Sequence, residues 1–319
     1  MSTNSFNQNT GIDLDNNLHR ALSACEGERF YSEKYSKMYP FTTENISGYI
    51  DYFDFNNRSL LTVGSSGDQI LNAFYNGAKD ITLFDINENA KYYIYLKIAA
   101  ILSLSYREFK MFFFKYSLAP LVPNDNMFSK EIFDKIKNNL KLLDYESFVF
   151  FDKLFSLYNG YIIRDRLFDD DEDRKTVIIG FNKYLQSEQS YNRLKSIIKD
   201  IGFKYICGNL FDDDINGKFD NIFLSNICTT TDLTRFKSLI ESIDKNNLKS
   251  NGSMLLGYLW NMTYDIETYD DDWKDIYKIP IVREILKDYI TEAHDVNGPK
   301  DILQHANKKR DLVLIYRKK

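Results

Sequence analysis

The chain has little cysteine and no long apolar run. Its three cysteines lie far apart and form no C-x-x-C pair. We therefore expect neither disulfides nor structural zinc, and we expect a cytoplasmic location. The densest apolar stretch, residues 94–104, is interrupted by Lys97. It is shorter than the roughly 18 residues of a membrane span, so it predicts a buried helix and no integral membrane association. Residues 1–18 are polar, lack the apolar core of a secretion signal, and predict a disordered tail.

The chain also has no excess of positive charge, and it has few histidines. With 41 basic and 46 acidic residues the net charge is −5, which argues against nucleic acid as the main partner. The three histidines lack the spacing of metal ligands, so we expect no metal site. The acids form runs at 169–173, 212–214 and 270–272, and such runs predict solvated loops more often than ligand sets.

The chain does contain a regular alternation of strands and helices. Residues 59–63 and 80–85 predict two strands, separated by a glycine-rich turn and a helix over 68–75. A long helix over about 88–105 follows. Strand, helix and strand within this length predict a parallel sheet with right-handed crossovers.

The alternation lapses between residues 106 and 180 and then resumes. That segment has helix-like patterns and is too long for a loop in a compact domain, so it predicts a mainly helical insertion. Further strands are predicted at 204–207, 219–224, 253–259, 293–296 and 312–316, and further helices at 184–200, 233–245 and 282–289. The predicted fold class is therefore α/β: a Rossmann-like, doubly wound seven-strand sheet, mostly parallel, with an antiparallel C-terminal strand.

Residues 1–57 precede this pattern and predict a tail followed by a helical lid segment. An aromatic-rich helical pattern over 18–39 stops at Pro40. The two threonines that follow are good N-caps for a second helix that reaches Phe53. Residues 58–319 would then form one nucleotide-binding domain that carries the insertion.

The strongest functional signal pairs the turn Gly64–Gly67 with Asp85. A glycine-rich turn between a strand and a helix lets a ligand approach the backbone closely. Asp85 ends the next strand, 21 positions after Gly64, where a carboxylate can accept hydrogen bonds from both ribose hydroxyls. Together the turn, the acid and the spacing predict a nucleotide-type cofactor.

The residues of the turn bear on which nucleotide is bound. A dinucleotide site needs G-x-G-x-x-G, whereas the run here is Gly64-Ser65-Ser66-Gly67-Asp68. A carboxylate at the helix start would repel a pyrophosphate but can pair with the α-amino group of a methionine moiety. The alternative is that Asp68 is only a first-turn acid favoured by the helix dipole.

The motif LLTVGSSGDQ, followed by ITLFDIN, resembles the first two motifs of class I S-adenosylmethionine-dependent methyltransferases. With the preceding YPFTTENISGYI, it more closely resembles a subgroup related to the 3-amino-3-carboxypropyl transferase of betaine-lipid synthesis. The resemblance runs in order over most of residues 30–319 and is most diagnostic over 58–90. The chain departs from the family pattern at Thr62, where an acid is common, and at Ser66 and Asp68, which replace glycines.

The resemblance implies S-adenosylmethionine as the cofactor and a set of binding residues at the strand ends. The turn would hold the methionine part, the acid after the second strand the ribose, and the residues after the third strand the adenine. The implied contacts are Phe41, Thr42, Gly64, Ser65, Ser66, Asp68, Gln69, Asp85, Ile86, Asn87, Asn209, Leu210, Ser225 and Asn226. Asn209 and Asn226 can equally be turn residues, and no catalytic base is identified.

The implied activity is transfer of a methyl or 3-amino-3-carboxypropyl group to a small-molecule or lipid-like acceptor. Such an enzyme contributes mainly proximity, orientation and exclusion of water. Two other classes stay open at this point. An NAD-dependent oxidoreductase fits the strand–helix–strand unit but not the glycine spacing, and a non-catalytic nucleotide-binding protein can share the same fold. The sequence predicts neither the acceptor nor the oligomeric state.

Overall fold

The computed structural model describes nine segments of the chain: 12–28, 36–115, 124–169, 175–200, 202–211, 215–227, 231–257, 275–296 and 312–319. Seven strands lie in them: β1 Ser59–Val63, β2 Asp80–Asp85, β3 Lys204–Cys207, β4 Phe219–Phe223, β5 Leu248–Leu256, β6 Ile290–Asp295 and β7 Leu312–Arg317. The described helices are α1 Leu14–Cys25, α2 Asp68–Tyr75, α3 Asn89–Ser103, α4 Tyr106–Phe113, α5 Lys130–Leu143, α6 Tyr145–Leu157, α7 Gly160–Leu167, α8 Lys175–Phe181, α9 Glu188–Ile197, α10 Leu233–Ser242 and α11 Asp275–Ile285.

The strands form one sheet in the order β3-β2-β1-β4-β5-β7-β6. The neighbours from β3 through β5 pair in parallel, and β7 is antiparallel to both β5 and β6. The predicted fold class is therefore confirmed. The chain moves outward from β1 to β3 on one side and continues from β4 on the other, so the strand order reverses between β1 and β4. Ligands of such sheets bind at this reversal, beyond the carboxyl ends of the strands.

The central strands are buried on both faces, as their apolar sequences require. Leu60 and Leu83 belong to the core beneath α2, α3 and the insertion, whereas Leu61 and Phe84 belong to the core beneath α10 and α11. Full burial of one such side chain contributes about 1.5–3 kcal/mol. This two-sided packing makes the strand ends a rigid edge on which a site can be built.

The helical insertion is confirmed in the described residues, where α4 to α8 follow one another. A capping box begins α4, since Ser105 and Glu108 bond each other's backbone N–H groups. Aromatic stacking fills the interior, with Phe133 and Phe155 rings 4.2 Å apart. After α8, a short helical turn at Lys183–Leu185 returns the chain to α2.

The N-terminal segment differs from its prediction. The helix α1 begins at Leu14, inside the predicted tail, and ends at Cys25. Residues 36–45, which we call the strap, are extended at Met38 rather than helical. The Met38 N–H donates to the Leu167 carbonyl at 2.9 Å, and Asp169 N–H donates to the Met38 carbonyl at 2.8 Å. Residues 29–35, where most of the predicted helix's aromatic residues lie, are outside the described residues; at Met38 the bonds to the insertion replace the predicted helix.

The predicted second helix is also wrong, because residues 46–48 and 50–52 form two separate 3₁₀ turns. The side chain of Asn45 caps the first turn and donates to the Val296 carbonyl at 2.7 Å. The bond to Val296 ties the segment to the end of β6. Asn45 thus takes the capping role that was predicted for the threonines.

Three later boundaries shift as well. The strand β5 begins at Leu248 rather than at residue 253, because Asn251, at φ 62°, lies inside an irregular strand and not in a turn. The strand β6 begins at Ile290 rather than at 293, and α11 begins at Asp275 rather than at 282. The acidic runs at 212–214 and 270–272, and residues 170–173, lie outside the described residues.

Candidate functional site

The carboxyl ends of four adjacent parallel strands form a half-buried rim. Ser65, Ile86, Asn209 and Ser225 follow β1, β2, β3 and β4 respectively, and each is partly exposed. All four were predicted from sequence as ligand contacts, and the strand order now brings them to one edge. The rim surrounds the point where the strand order reverses, which is where a ligand of this fold class binds.

The glycine turn after β1 is tight and approaches β2 closely. Gly67 N–H donates to the Gly64 carbonyl at 2.8 Å, and Gly67 has a φ of 80°, which favours glycine. Ser65 adopts a φ of 42°, a strained value for a residue with a side chain. A Cβ atom on Gly64 would lie 3.2 Å from Asp85 Oδ2. The absence of a side chain at Gly64 therefore lets the turn lie close to the carboxylate of Asp85.

Asp85 is held at the end of β2 by backbone N–H groups. Its Oδ2 accepts from Ser65 N at 2.5 Å, and its Oδ1 accepts from Asn87 N at 2.8 Å. Burial raises the pKa of Asp85 to about 6, against the opposing effect of the N–H donors. A ligand that donates hydrogen bonds would stabilise the ionised form of this carboxylate.

Asp68, predicted as a partner of a ligand amino group, is fully buried and already has four donors. Its Oδ1 accepts from Lys97 Nζ and from the Tyr184 hydroxyl, each at 2.7 Å. Its Oδ2 accepts from Thr42 N at 2.6 Å and from the Ser66 hydroxyl at 3.0 Å. A carboxylate has about four acceptor sites. The structure thus places Asp68 in an internal network of four donors, and its predicted contact with a ligand stays a prediction.

Lys97 balances the charge of Asp68 in the interior. Its ammonium also donates to the Pro40 carbonyl at 2.9 Å and the Ser66 carbonyl at 3.0 Å, and it lies 4.2 Å from the centre of the Phe41 ring. Burial lowers the pKa of Lys97, and the charge of Asp68 opposes this shift. The ion pair joins the strap, the glycine turn and α3 at one point.

The predicted contacts Phe41 and Thr42 take part in this internal network. Phe41 is fully buried and stacks on Phe114 at 4.8 Å between ring centroids. The backbone of Thr42 bonds Asp68, as described above. At its other end the strap meets Asn87, whose side-chain amide donates to the Ser36 carbonyl at 2.9 Å. The strap therefore lies along the site from the end of β2 to the start of α2.

A second polar cluster connects the strap to β4. Glu44 Oε2 accepts from Gln69 Nε2 at 2.8 Å and from the Tyr49 hydroxyl at 3.2 Å, and its Oε1 accepts from the Ser225 hydroxyl. Gln69 and Ser225 were both predicted as ligand contacts. The structure brings them together through Glu44, which sequence reasoning missed.

The remaining predicted contacts lie on the rim. Asn209 Oδ1 accepts from Phe211 N at 3.0 Å, so Asn209 does fill the turn role that was weighed for it. Leu210 follows it and packs against the core beneath α10. Asn226 lies beside Ser225, whose hydroxyl contacts its Oδ1 at 3.4 Å. None of these positions excludes a ligand contact, and their roles stay predictions.

Lys97, Tyr184, Glu44 and Tyr49 are site residues that sequence reasoning did not find. Lys97 left a signal, because it is the charged residue inside an otherwise apolar helical stretch. A lysine at such a position needs a buried partner. The other three carried no comparable signal, since bonds such as Tyr184 to Asp68 and Glu44 to Ser225 join residues 116 and 181 positions apart.

Comparison with known proteins gives matches to solved structures alone, since no family model and no curated protein matches the chain. A TehB-like S-adenosylmethionine-dependent methyltransferase from Corynebacterium glutamicum is 10% identical, over 96% of this chain and 98% of that one, with a TM-score of 0.37. TehB from Haemophilus influenzae is 10% identical over 86% of this chain and 62% of that one, with a TM-score of 0.39. The N-methyltransferase NodS from Bradyrhizobium japonicum, in complex with S-adenosylhomocysteine, is 12% identical over 44% of this chain and 74% of that one, with a TM-score of 0.29.

The first of these structures is named as an S-adenosylmethionine-dependent methyltransferase, and the third as an N-methyltransferase that holds S-adenosylhomocysteine. At such identities and TM-scores the likeness carries no conclusion about activity, so the fold class rests on the strand order of the chain itself. Within the described segments, no helix has the length and apolar character needed to cross a membrane. The same segments bring together no set of three His, Cys, Asp or Glu side chains able to hold a metal ion.

Proposed function

We propose that the chain is an S-adenosylmethionine-dependent group transferase. The observation that carries this proposal is Asp85, a buried carboxylate at the end of β2, in contact with the glycine turn at the reversal of strand order. Ribose hydroxyls would donate to this carboxylate beside its backbone donors. The absence of a side chain at Gly64 lets the turn lie close to Asp85, as a nucleoside site of this kind requires.

The covered start of α2 distinguishes this proposal from a dinucleotide enzyme. A pyrophosphate binds to open N–H groups at a helix N-terminus. Here Ser66, Asp68 and Gln69 are at most 4% exposed, because the strap lies over them. The charge repulsion expected from Asp68 is not the reason, since Lys97 neutralises it. Coverage of the helix start favours a mononucleoside ligand with a short amino-acid arm.

Different residues of the rim would bind different parts of the cofactor. We assign the ribose to Asp85, the adenine to Ile86 and Asn209, and the methionine arm to the glycine turn. The bound sulfonium supplies an activated carbon, and the chain supplies orientation and exclusion of water. The acceptor would enter at Ser225, beyond β4. Either a methyl or a 3-amino-3-carboxypropyl group is transferred, depending on which carbon faces Ser225.

Calorimetric titration with S-adenosylhomocysteine tests the proposal. Asp85→Ala should weaken binding by about 1.5–3 kcal/mol, or roughly one to two orders of magnitude, as for loss of charged hydrogen bonds. Asp220→Asn is a matched control, because Asp220 bonds Ser59 and Lys249 at the opposite edge of the same sheet. Unchanged affinity in a folded Asp85→Ala protein, or tighter binding of NAD by the wild type, would contradict the proposal.

Product analysis then identifies the transferred group. Methyl transfer leaves S-adenosylhomocysteine, and aminocarboxypropyl transfer leaves methylthioadenosine. Both products are measured in one chromatographic run, so the assay needs no prior choice between the two reactions.

A further inference from the structure

The insertion returns to the sheet through residues 182–186, which are bonded to α2. The Tyr184 hydroxyl donates to Asp68 Oδ1 at 2.7 Å, and Lys183 N–H donates to Asn72 Oδ1 at 2.8 Å. Asp68 is the first residue of α2 and Asn72 lies one turn further along it. The insertion is therefore joined to the half of α2 that follows the glycine turn.

The carboxylate of Asp68 also holds the strap. Thr42 N–H donates to its Oδ2 at 2.6 Å. Lys97 Nζ donates to its Oδ1 at 2.7 Å and to the Pro40 carbonyl at 2.9 Å. The other end of the strap is bonded to the insertion at Met38, as described above. The insertion therefore holds the strap directly at one end and through Asp68 near the other.

Tyr184 is the hydrogen-bond donor that the insertion supplies to Asp68. Its side chain is fully buried. Burial raises the pKa of its hydroxyl well above the usual value, and the charge of Asp68 raises it further, so the hydroxyl stays a neutral donor. The other side-chain donors, Lys97 and Ser66, lie on α3 and in the glycine turn. The Tyr184 bond thus joins the insertion to the carboxylate on which the turn and the strap both depend.

Loss of this donor should release the strap at one end. A buried carboxylate that lacks a donor is less stable than one that reaches water. The strap covers the start of α2, where Asp68 is fully buried, so movement of the strap would admit water to it. The far end of the strap has separate bonds at Ser36 and Met38, which would stay.

We propose that Tyr184 is a positioning residue for the methionine arm of the cofactor, because its bond to Asp68 keeps the strap closed over the start of α2. This inference rests on the proposed function, which places that arm at the glycine turn and the ribose at Asp85. A ligand binds more weakly in proportion to the fraction of protein that leaves the binding-competent state. Loss of the Tyr184 bond would therefore weaken ligands that carry the arm.

The test compares two ligands in one variant. Tyr184→Phe removes the hydroxyl and keeps the ring. It should weaken S-adenosylhomocysteine about fivefold or more, while methylthioadenosine, which has no amino-acid arm, changes less than about twofold. Calorimetric titration with each ligand measures both affinities, and their ratio is the readout that a general loss of stability would not move.

Tyr191→Phe is the matched control. Tyr191 is also fully buried, and its hydroxyl donates to the carbonyls of Ile101 and Leu104, away from the turn. The control should lose a similar amount of stability in urea denaturation and keep both affinities within about twofold of the wild type. The proposal fails if the control changes the ratio as much as Tyr184→Phe does. It also fails if Tyr184→Phe weakens both ligands equally, or neither.

Hydrogen exchange on the wild type covers the case in which Tyr184→Phe does not fold. S-adenosylhomocysteine should slow exchange in the strap and in residues 182–186 together, because Thr42 N–H and Lys183 N–H are both bonded to α2. Methylthioadenosine should slow neither segment. Protection confined to the glycine turn and the end of β2 would overturn the proposal.

The wild-type titration separates the two levels of inference. A wild type that binds neither ligand refutes the proposed function itself, and with it the role of Tyr184. A wild type that binds S-adenosylhomocysteine, with an unchanged ratio in Tyr184→Phe, refutes the role of Tyr184 alone.

Discussion

The buried carboxylates at the start of α2 and at the end of β2 have opposite kinds of hydrogen-bond partners. At the start of α2, Asp68 has a cation, a hydroxyl pair and a backbone donor, and it is fully buried. At the end of β2, the partners that the structure gives Asp85 are backbone N–H groups, and its pKa rises to about 6. The difference separates a carboxylate paired with a cation in the interior from one held by backbone donors at a strand end.

Breaking the ion pair should have the largest effect. Lys97→Met leaves Asp68 buried without its cation and should lower the free energy of unfolding by about 3–5 kcal/mol. Urea denaturation followed by circular dichroism measures this. Adding Asp68→Asn should recover part of the loss, because the buried charge is then removed.

Lys137→Met is the matched control, since Lys137 pairs with Asp134 on the surface of α5. It should leave the denaturation midpoint unchanged. If Lys97→Met were as stable as the control, the buried pair would not organise the site and the contrast with Asp85 would be lost.

The pH dependence of stability should report Asp85. Its folded pKa of about 6 lies above the usual value of 3.8, so the folded state binds the proton more tightly than the unfolded state. Stability should therefore increase as the pH falls through 6, by about 1 kcal/mol between pH 7 and pH 5. Asp85→Asn should lack this increment in the same urea titrations. If the stabilities of the wild type and the variant changed with pH in parallel, the pKa of Asp85 would not be raised in the folded protein.

Ligand affinity should follow the opposite course. Ribose hydroxyls donate to the ionised carboxylate, so S-adenosylhomocysteine should bind more weakly below pH 6, approaching tenfold per pH unit. Calorimetry at pH 7.5, 6 and 5 measures the effect. A pH-independent affinity would assign the ribose to another group.

The smallest effect is expected in the turn that joins the two regions. Ser65 has a φ of 42°, where glycine is more easily accommodated than a residue with a Cβ atom. Ser65→Gly should be more stable than Ser65→Ala by about 1 kcal/mol or less. Thermal denaturation of the pair decides this, and a more stable Ser65→Ala would show that the turn is unstrained.

The strand–helix–strand unit was predictable because its determinants are local. Apolar strands, a glycine turn and an acid at a set spacing follow one another in the sequence, and β1, α2 and β2 form where expected. The strap was not predictable, because its conformation depends on bonds from Met38 to Leu167 and Asp169. Periodicity within residues 18–39 contains no information about those partners.

The candidate site shows the same division. The sequence singled out Asp85, the glycines and Asp68, and the ligand contacts of all of them stay predictions. The lysine that neutralises Asp68 was visible as an anomaly in an apolar helix. Its partner was not, because pairing depends on how α3 packs against the turn. The sequence assigned no role to Glu44, whereas the fold places it between α2 and β4.

The bond from Tyr184 to Asp68 has a consequence for how the protein folds. It joins residues 116 positions apart, and Lys97 joins the same carboxylate from 29 positions away. Contacts of such high contact order form late, because the chain entropy of closing the loops must be paid before they contribute. Nascent or partly folded chains would therefore lack the bonds around Asp68 even when the first strands are paired. Binding of a nucleoside ligand would accordingly report completed folding of the whole domain, including the insertion.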